Sequence, residues 1–155
     1  MKRCFRLLLP LVALVIAAAI SDAIAQQKPY SPSLGDLMTA AVQPRHIKLG
    51  LAAREGNWPA YEPHELKEAF DRAVKAWPKW RTFLIPDTMA SVTKGPMAAL
   101  DQAIKAGDPS RVTTAYDQLT AACNTCHRSA DRGVIVIQSP IASAFPDQDF
   151  RPVKE

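Results

Sequence analysis

Two cysteines and a histidine stand close together near the end of the chain. Cys123 and Cys126 are separated by two residues, and His127 follows directly, in the order Cys-Asn-Thr-Cys-His. A C-x-x-C-H run is the attachment pattern of c-type haem. The two thiols add to the two vinyl groups on one edge of the porphyrin, and the histidine gives an imidazole nitrogen to the iron. The spacing therefore predicts one covalently bound haem c per chain, with both cysteines as thioether residues and His127 as an iron ligand.

Three other chemistries use closely spaced cysteines, and they stay open at this point. A thioredoxin-type redox pair needs a βαβ context, whereas the residues around Cys123 have a helical pattern. A structural zinc site needs four ligands, and only His46 and His64 remain to complete one. A disulfide between residues three apart on one helix constrains little of the fold. Haem attachment is the hypothesis that the residues favour most.

The first 25 residues have the pattern of an export signal. Three basic residues precede an apolar stretch from residue 7 to residue 20, and a small-x-small cleavage pattern ends at Ala25. The pattern predicts a signal peptide over residues 1–25 and a periplasmic location for the mature chain. An uncleaved anchor helix is the alternative. Export agrees with haem attachment, because c-type haem is attached outside the cytoplasm.

The composition limits the class of protein. The chain has 155 residues, with 19 Lys and Arg against 15 Asp and Glu, and removal of residues 1–25 lowers these counts to 16 and 14. This near balance, without a basic block interleaved with aromatic residues, argues against a nucleic-acid-binding protein. No apolar run after residue 25 reaches 18 residues, so we expect no membrane span after processing. The remaining length suits a single domain over residues 26–155.

Apolar residues recur at steps of three and four over most of the mature sequence. This period predicts an all-α fold with helices at about 33–54, 63–77, 87–106 and 108–132. Pro44 lies inside the first of these helices and is expected to kink or divide it. The haem motif falls on the apolar stripe of the last helix. The tail, residues 134–155, contains three prolines and is expected to lie extended over a haem edge or a helix seam.

Four helices with C-x-x-C-H near the end of the last one resemble the class II c-type cytochromes, the cytochrome c′ group. The resemblance covers about residues 33–133 in layout and is specific only at the motif residues. It implies an up-down four-helix bundle and a non-enzymatic electron carrier whose partners are periplasmic redox proteins. The alternative function that the resemblance implies, in place of electron transfer, is a five-coordinate haem that binds nitric oxide or carbon monoxide. Because cytochromes c′ often form dimers through their first two helices, the resemblance also leaves a homodimer open.

The chain departs from that group after the motif. Cytochromes c′ usually have an aromatic residue three positions after the haem histidine and a basic residue one later, whereas this chain has Ala130 and Asp131, with Arg132 one step further. The tail is also longer than the group usually carries. The front half resembles a family of uncharacterised periplasmic haem proteins, which implies no activity, at residues 45–49, Asn57-Trp58 and Tyr61-Glu62.

The group at the sixth iron position decides between the two functions. Two protein ligands suit electron transfer, whereas an apolar cover leaves a position for gases. In an up-down bundle the first helix runs antiparallel beside the last, so His46 is the expected second iron ligand and Leu49 the expected apolar cover. Met38 and His64 are the other candidates, and His46 held off the iron would suit a haem peroxidase. Arg45 is expected to bind a haem propionate or to lie on the surface.

Overall fold

The computed structural model describes residues 30–57 and 61–152. The chain divides into two units, residues 1–31 and 32–155, and the fold described below belongs to the second. The predicted signal peptide and Trp58 lie outside the described residues. Where it is described, the chain is mostly helical, with a single two-stranded sheet, which confirms the mainly helical class. None of the described helices is both long and apolar enough to cross a membrane.

The first helix, α1, consists of three consecutive stretches, Leu34–Leu37, Met38–Val42 and Gln43–Arg54. Its start is a capping box: the Ser33 hydroxyl accepts from the Asp36 N–H at 3.1 Å, and the Asp36 carboxylate accepts from the Ser33 N–H at 2.8 Å. The middle stretch has π-helical hydrogen bonding. It ends just before Pro44, which has no N–H for an α-helical bond. The division that Pro44 predicts thus takes the form of a change in helical hydrogen bonding.

Three more helices follow α1 along the chain. They are α2 (Tyr61–Ala76), α3 (Ile85–Ala106) and α4 (Pro109–Ser129). Helices α2 and α3 each start two residues before the predicted position, and α4 ends three residues before it. Between α2 and α3, a stretch without a predicted helix forms a small antiparallel hairpin of β1 (Lys79–Trp80) and β2 (Phe83–Leu84). One apolar core joins the helices, and its fully buried large side chains are Leu66, Leu100, Val112 and Leu119.

Helix α4 ends in a tight left-handed turn. Asp131 has a φ angle of 56°, the Arg132 N–H donates to the His127 carbonyl at 2.7 Å, and the Asp131 N–H donates to the Arg128 carbonyl at 3.1 Å. This pair of bonds is a Schellman cap with aspartate in place of the usual glycine. The cap reverses the chain immediately after the haem motif and brings the tail back onto α4.

Residues 134–152 of the tail contain no helix or strand and contact both α1 and α4. Hydrogen bonds that join it to the body of the protein include Ser139 Oγ to Asp117 (2.8 Å), Arg54 to the Pro140 carbonyl (2.8 Å), and Asn57 to the Arg151 carbonyl (3.3 Å). Near its end, Phe150 is buried in a small apolar cluster with Leu51 and Ala52 of α1.

Candidate functional site

The motif residues lie in the last two turns of α4. Positions i, i+3 and i+4 share one face of a helix, so Cys123, Cys126 and His127 lie side by side, and all three side chains are half-buried. Leu119 and Thr120, one turn earlier on the same face, are buried. The motif therefore lies where the buried stripe of α4 reaches the surface.

Both cysteines are free thiols that remain protonated near neutral pH. Burial raises the pKa of Cys123 to about 11, the neighbouring Cys126 adds to this rise, and burial also raises the pKa of Cys126. The two thiols lie near the C-terminal end of α4, where the helix dipole disfavours a thiolate. A reactive redox pair needs the opposite environment, with a stabilised thiolate. This geometry argues against thioredoxin-type chemistry.

His127 has one occupied ring nitrogen and one open one. Nδ1 lies 2.9 Å from the carbonyl oxygen of Ile135, and because a carbonyl oxygen only accepts, Nδ1 carries the proton. The lone pair of the neutral ring is then on Nε2, which has no hydrogen-bond partner among the described residues. A backbone carbonyl that fixes the tautomer in this way is the usual outer partner of a metal-binding histidine. The imidazole is therefore prepared to bind a metal through Nε2.

The donor set fits a covalently attached haem. Two free, half-buried thiols lie on the same helical face as a histidine with an open Nε2. The segment that supplies the carbonyl for His127 also exposes apolar side chains, since Val134 is 92% and Val136 63% exposed. An apolar prosthetic group beside the motif would cover these exposed apolar side chains. Cys123, Cys126 and His127 are the residues that would hold it.

His46, the expected second iron ligand, is buried and hydrogen-bonded through both ring nitrogens. Nε2 lies 2.9 Å from Thr120 Oγ1, and the Tyr116 hydroxyl, which has one proton to donate, lies 3.2 Å from Nδ1 and 3.0 Å from the His46 carbonyl oxygen. The ring stacks on Tyr116, and burial lowers the pKa of His46 to about 4. His46 therefore joins α1 to α4 and offers a metal no free nitrogen, so ligation would require these hydrogen bonds to be replaced.

The register of α1 against α4 also separates His46 from the motif. His46 contacts Thr120 and Tyr116, and Gly50, one turn later in α1, lies against Tyr116 again. As the residue numbers increase along α1, the numbers of the α4 residues in contact with them decrease, so the two helices are antiparallel. Thr120 precedes His127 by seven residues, about 10 Å along the helix axis. The part of α1 level with the motif therefore lies one to two turns before His46.

Met38 is the α1 residue with a ligating side chain nearest to that level. Two turns before His46 is residue 39, and Met38 precedes it by one residue; among residues 38–42 only Met38 has a side chain that binds haem iron. Its side chain is partly buried against the core. It begins the π-helical stretch of α1, and π-helical segments occur frequently at functional sites. The sequence alone favours His46 over Met38 for this role.

The other predicted residues lie away from the motif. Arg45 forms an ion pair with Glu65 of α2 at 3.4 Å, so a propionate would have to displace this carboxylate. Leu49 is only 2% exposed and belongs to the main core, next to Gly50 and thus near the level of Tyr116. The structure therefore places neither residue beside the haem motif.

A zinc site that uses the cysteines is not assembled among the described residues. The group there that could gather around an ion is His64, Glu65 and Glu68, and it contains neither cysteine. His64 is exposed on α2 and pairs with Glu68 at 3.7 Å. His46, the other histidine such a site would need, is held by α4.

Two contacts near the motif were not expected from the sequence. Asn124 accepts from the Ile137 N–H at 2.7 Å and donates to the Ile137 carbonyl at 2.8 Å. The Trp80 ring lies 4.7 Å from the Arg81 guanidinium and 4.9 Å from that of Arg132. The C-x-x-C-H pattern leaves both residues between the cysteines unspecified, so it contains no signal for Asn124. The contact between the β-hairpin and Arg132 depends on the packing of distant elements.

No protein-family model, curated protein or solved structure matches this chain. The function is therefore inferred from the residues and their geometry.

Proposed function

We propose that the protein is a periplasmic monohaem c-type cytochrome that carries single electrons between periplasmic redox proteins. Cys123 and Cys126 hold the haem through thioethers, and His127 binds the iron through Nε2. The observation that carries the proposal is the hydrogen bond from His127 Nδ1 to the Ile135 carbonyl. It leaves the lone-pair nitrogen of the ring open on the helix that carries both thiols. The bound haem supplies one-electron redox chemistry, and the chain attaches and orients it.

The proposed architecture is the up-down four-helix bundle of the class II c-type cytochromes. Its support is the antiparallel packing of α1 on α4 and the position of the motif in the last turns of α4. Export by the signal sequence over residues 1–25 is part of the same proposal, because haem attachment requires it.

The proposed second iron ligand is Met38 rather than His46. By the antiparallel packing of α1 on α4, Met38 lies slightly more than two turns from His46 in the direction of the motif, whereas both nitrogens of His46 face hydroxyl groups. A thioether with an imidazole gives a six-coordinate iron and a higher potential than two imidazoles. This ligand pair suits an electron carrier.

A five-coordinate haem that binds nitric oxide or carbon monoxide is the second candidate. The observation that favours it is the apolar character of α1 around Met38, where Leu37, Ala41 and Val42 are at least partly buried. If Met38 stays in the core, these side chains would cover the open iron position in place of Leu49. The two candidates differ only in whether a thioether reaches the iron.

Spectroscopy of the exported protein tests the proposal. The wild-type chain, produced in a host that matures c-type haem, should carry one haem by mass, and Cys123→Ser with Cys126→Ser should carry none. The reduced protein should show sharp, split low-spin bands that carbon monoxide leaves unchanged. Met38→Leu should give a high-spin spectrum that shifts with carbon monoxide, whereas Met97→Leu, a partly buried methionine of α3, should behave as wild type.

Three results would contradict parts of the proposal. Wild-type protein that binds carbon monoxide at once would favour the gas-binding candidate. Loss of the low-spin bands in His46→Gln but not in Met38→Leu would restore His46 as the ligand. Absence of covalent haem in the wild-type chain would overturn both candidates.

A further inference from the structure

We propose that Asn124 is a positioning residue for His127, because it clamps the tail against α4. The clamp is a property of the polypeptide, and its effect on iron rests on the proposed function. Asn124 lies between the two motif cysteines and contacts the iron-binding histidine only through the tail.

The Asn124 side chain pairs with both backbone groups of one tail residue. Its Oδ1 accepts from the Ile137 N–H at 2.7 Å, and its Nδ2 donates to the Ile137 carbonyl at 2.8 Å. This is the double pairing that a neighbouring strand residue would provide. It fixes Ile137 to α4 directly beside Cys123.

Ile135, whose carbonyl accepts from His127, is held between two anchors. On one side, the Arg132 carbonyl accepts from the Ile135 N–H at 2.9 Å, and the Arg132 N–H caps α4 at the His127 carbonyl. On the other side, two residues along the chain, Asn124 holds Ile137. The hydrogen bond between His127 Nδ1 and the Ile135 carbonyl therefore depends on both the cap of α4 and the clamp at Asn124.

Within the polypeptide, apolar packing contributes little to holding this segment. Val134 is 92% exposed, Val136 63% and Ile135 48%. Side chains so exposed gain little free energy from burial. Hydrogen bonds are thus the main interactions that hold the segment on α4, and two of them come from Asn124.

Thr125, the other residue between the cysteines, forms no hydrogen bond with the tail among the described residues. It is exposed, its hydroxyl donates to the Ala121 carbonyl at 3.0 Å, and it accepts from Arg128 at 3.0 Å, both within α4. Thr125 is therefore a matched control, since it is as close to both thiols as Asn124 is.

Loss of the clamp should weaken the hydrogen bond at His127 Nδ1. An imidazole that donates from Nδ1 is a more basic metal ligand, which favours the oxidised iron. A free tail would let the Ile135 carbonyl move away and would make the ring less basic. The midpoint potential should then rise.

The experiment compares Asn124→Leu, Asn124→Asp and Thr125→Val in the haem-loaded, reduced protein. Hydrogen exchange, followed by NMR, should be about tenfold faster or more at the Ile137 amide and at His127 Nδ1 in Asn124→Leu. Asn124→Asp keeps the acceptor for the Ile137 N–H, so the Ile137 amide should exchange more slowly in this variant than in Asn124→Leu. The potential should rise in Asn124→Leu and stay at the wild-type value in Thr125→Val.

Equal exchange rates and potentials in Asn124→Leu and Thr125→Val would overturn the proposal. If Asn124→Leu does not fold, as judged by circular dichroism, Asn124→Ala, which also removes both hydrogen bonds, takes its place in the comparison with Thr125→Val. If the exported wild-type chain carries no haem, the proposed function fails separately. The rate of hydrogen exchange at the Ile137 amide in the haem-free exported chain then decides whether the clamp exists. Equal rates in Asn124→Leu and Thr125→Val would again overturn the proposal.

Discussion

The ring nitrogens of His127 and His46 have different neighbours, and this difference separates the proposed metal ligand from a packing residue. His127 gives its one proton to a backbone carbonyl and keeps Nε2 open. His46 has a hydroxyl against each nitrogen, from Thr120 and Tyr116. Both histidines are compatible with iron binding in the sequence, but only one has a nitrogen that can accept a metal without loss of existing bonds.

Burial of His46 should make the folded protein less stable below neutral pH. Its pKa is about 4 in the folded state against 6.5 for an exposed histidine, so between these values the unfolded chain binds the proton more readily. The stabilising contribution is complete above pH 6.5 and is lost as the pH falls toward 4. Urea unfolding should show a loss of about 2 kcal/mol between pH 7.5 and pH 5.

Two variants check that this pH dependence belongs to His46. In His46→Gln the difference in unfolding free energy between pH 7.5 and pH 5 should be smaller than in the wild type by most of the expected loss of about 2 kcal/mol. His64→Gln, which removes an exposed histidine of α2, should keep the wild-type difference. An unchanged difference in His46→Gln would show that other groups produce it.

At the scale of elements, the contact of α1 with α4 decides which residues are level with the motif. The two helices approach closely at Gly50, where an added Cβ would overlap the Tyr116 ring and lie 2.7 Å from Pro140 Cδ. The glycine thus lets α4 and the tail pack directly on the α1 backbone. This packing fixes the register in which His46 lies level with Tyr116 and Thr120 and not with His127.

Gly50→Ala should therefore destabilise the protein by about 1–3 kcal/mol, because the methyl group overpacks the seam. Gly35→Ala is the matched control in the same helix, where the nearest atom to an added Cβ is Ser33 Oγ at 3.6 Å. It should raise stability by up to about 1 kcal/mol through helix propensity. Urea unfolding of both variants measures this, and equal effects would exclude a tight seam at Gly50.

At the scale of the whole molecule, the tail contacts both the motif helix and α1. Its first part meets the motif helix at Asn124, and its last part packs Phe150 onto α1. Between them, Arg54 donates to the Pro140 carbonyl at 2.8 Å. The tail therefore connects the orientation of His127 with the packing of α1.

Phe150→Ala should lower the free energy of unfolding by about 2 kcal/mol, since Phe150 is only 8% exposed within a small apolar cluster. Ile141→Ala, in the same tail but 88% exposed, should have no measurable effect. Thermal or urea unfolding provides the comparison. Equal stability of the two variants would mean that the end of the tail does not pack on α1 in solution.

Local interactions made much of the fold predictable from the sequence. The apolar period, the caps at Ser33 and Asp108, and Pro44 act within a few residues, so they indicate a helical chain and approximate helix bounds. The C-x-x-C-H run is equally local, because the chemistry itself requires consecutive residues. For these features the sequence by itself determined the candidate site at Cys123, Cys126 and His127.

Only the tertiary structure decided the surroundings of that site. His46 meets Thr120 across 74 positions, and Arg45 meets Glu65 across 20. Periodicity contains no information about which faces of distant segments come into contact, or in which register. The open nitrogen of His127, the occupied nitrogens of His46 and the clamp at Asn124 all depend on such contacts. They exist only once the helices and the tail have packed together.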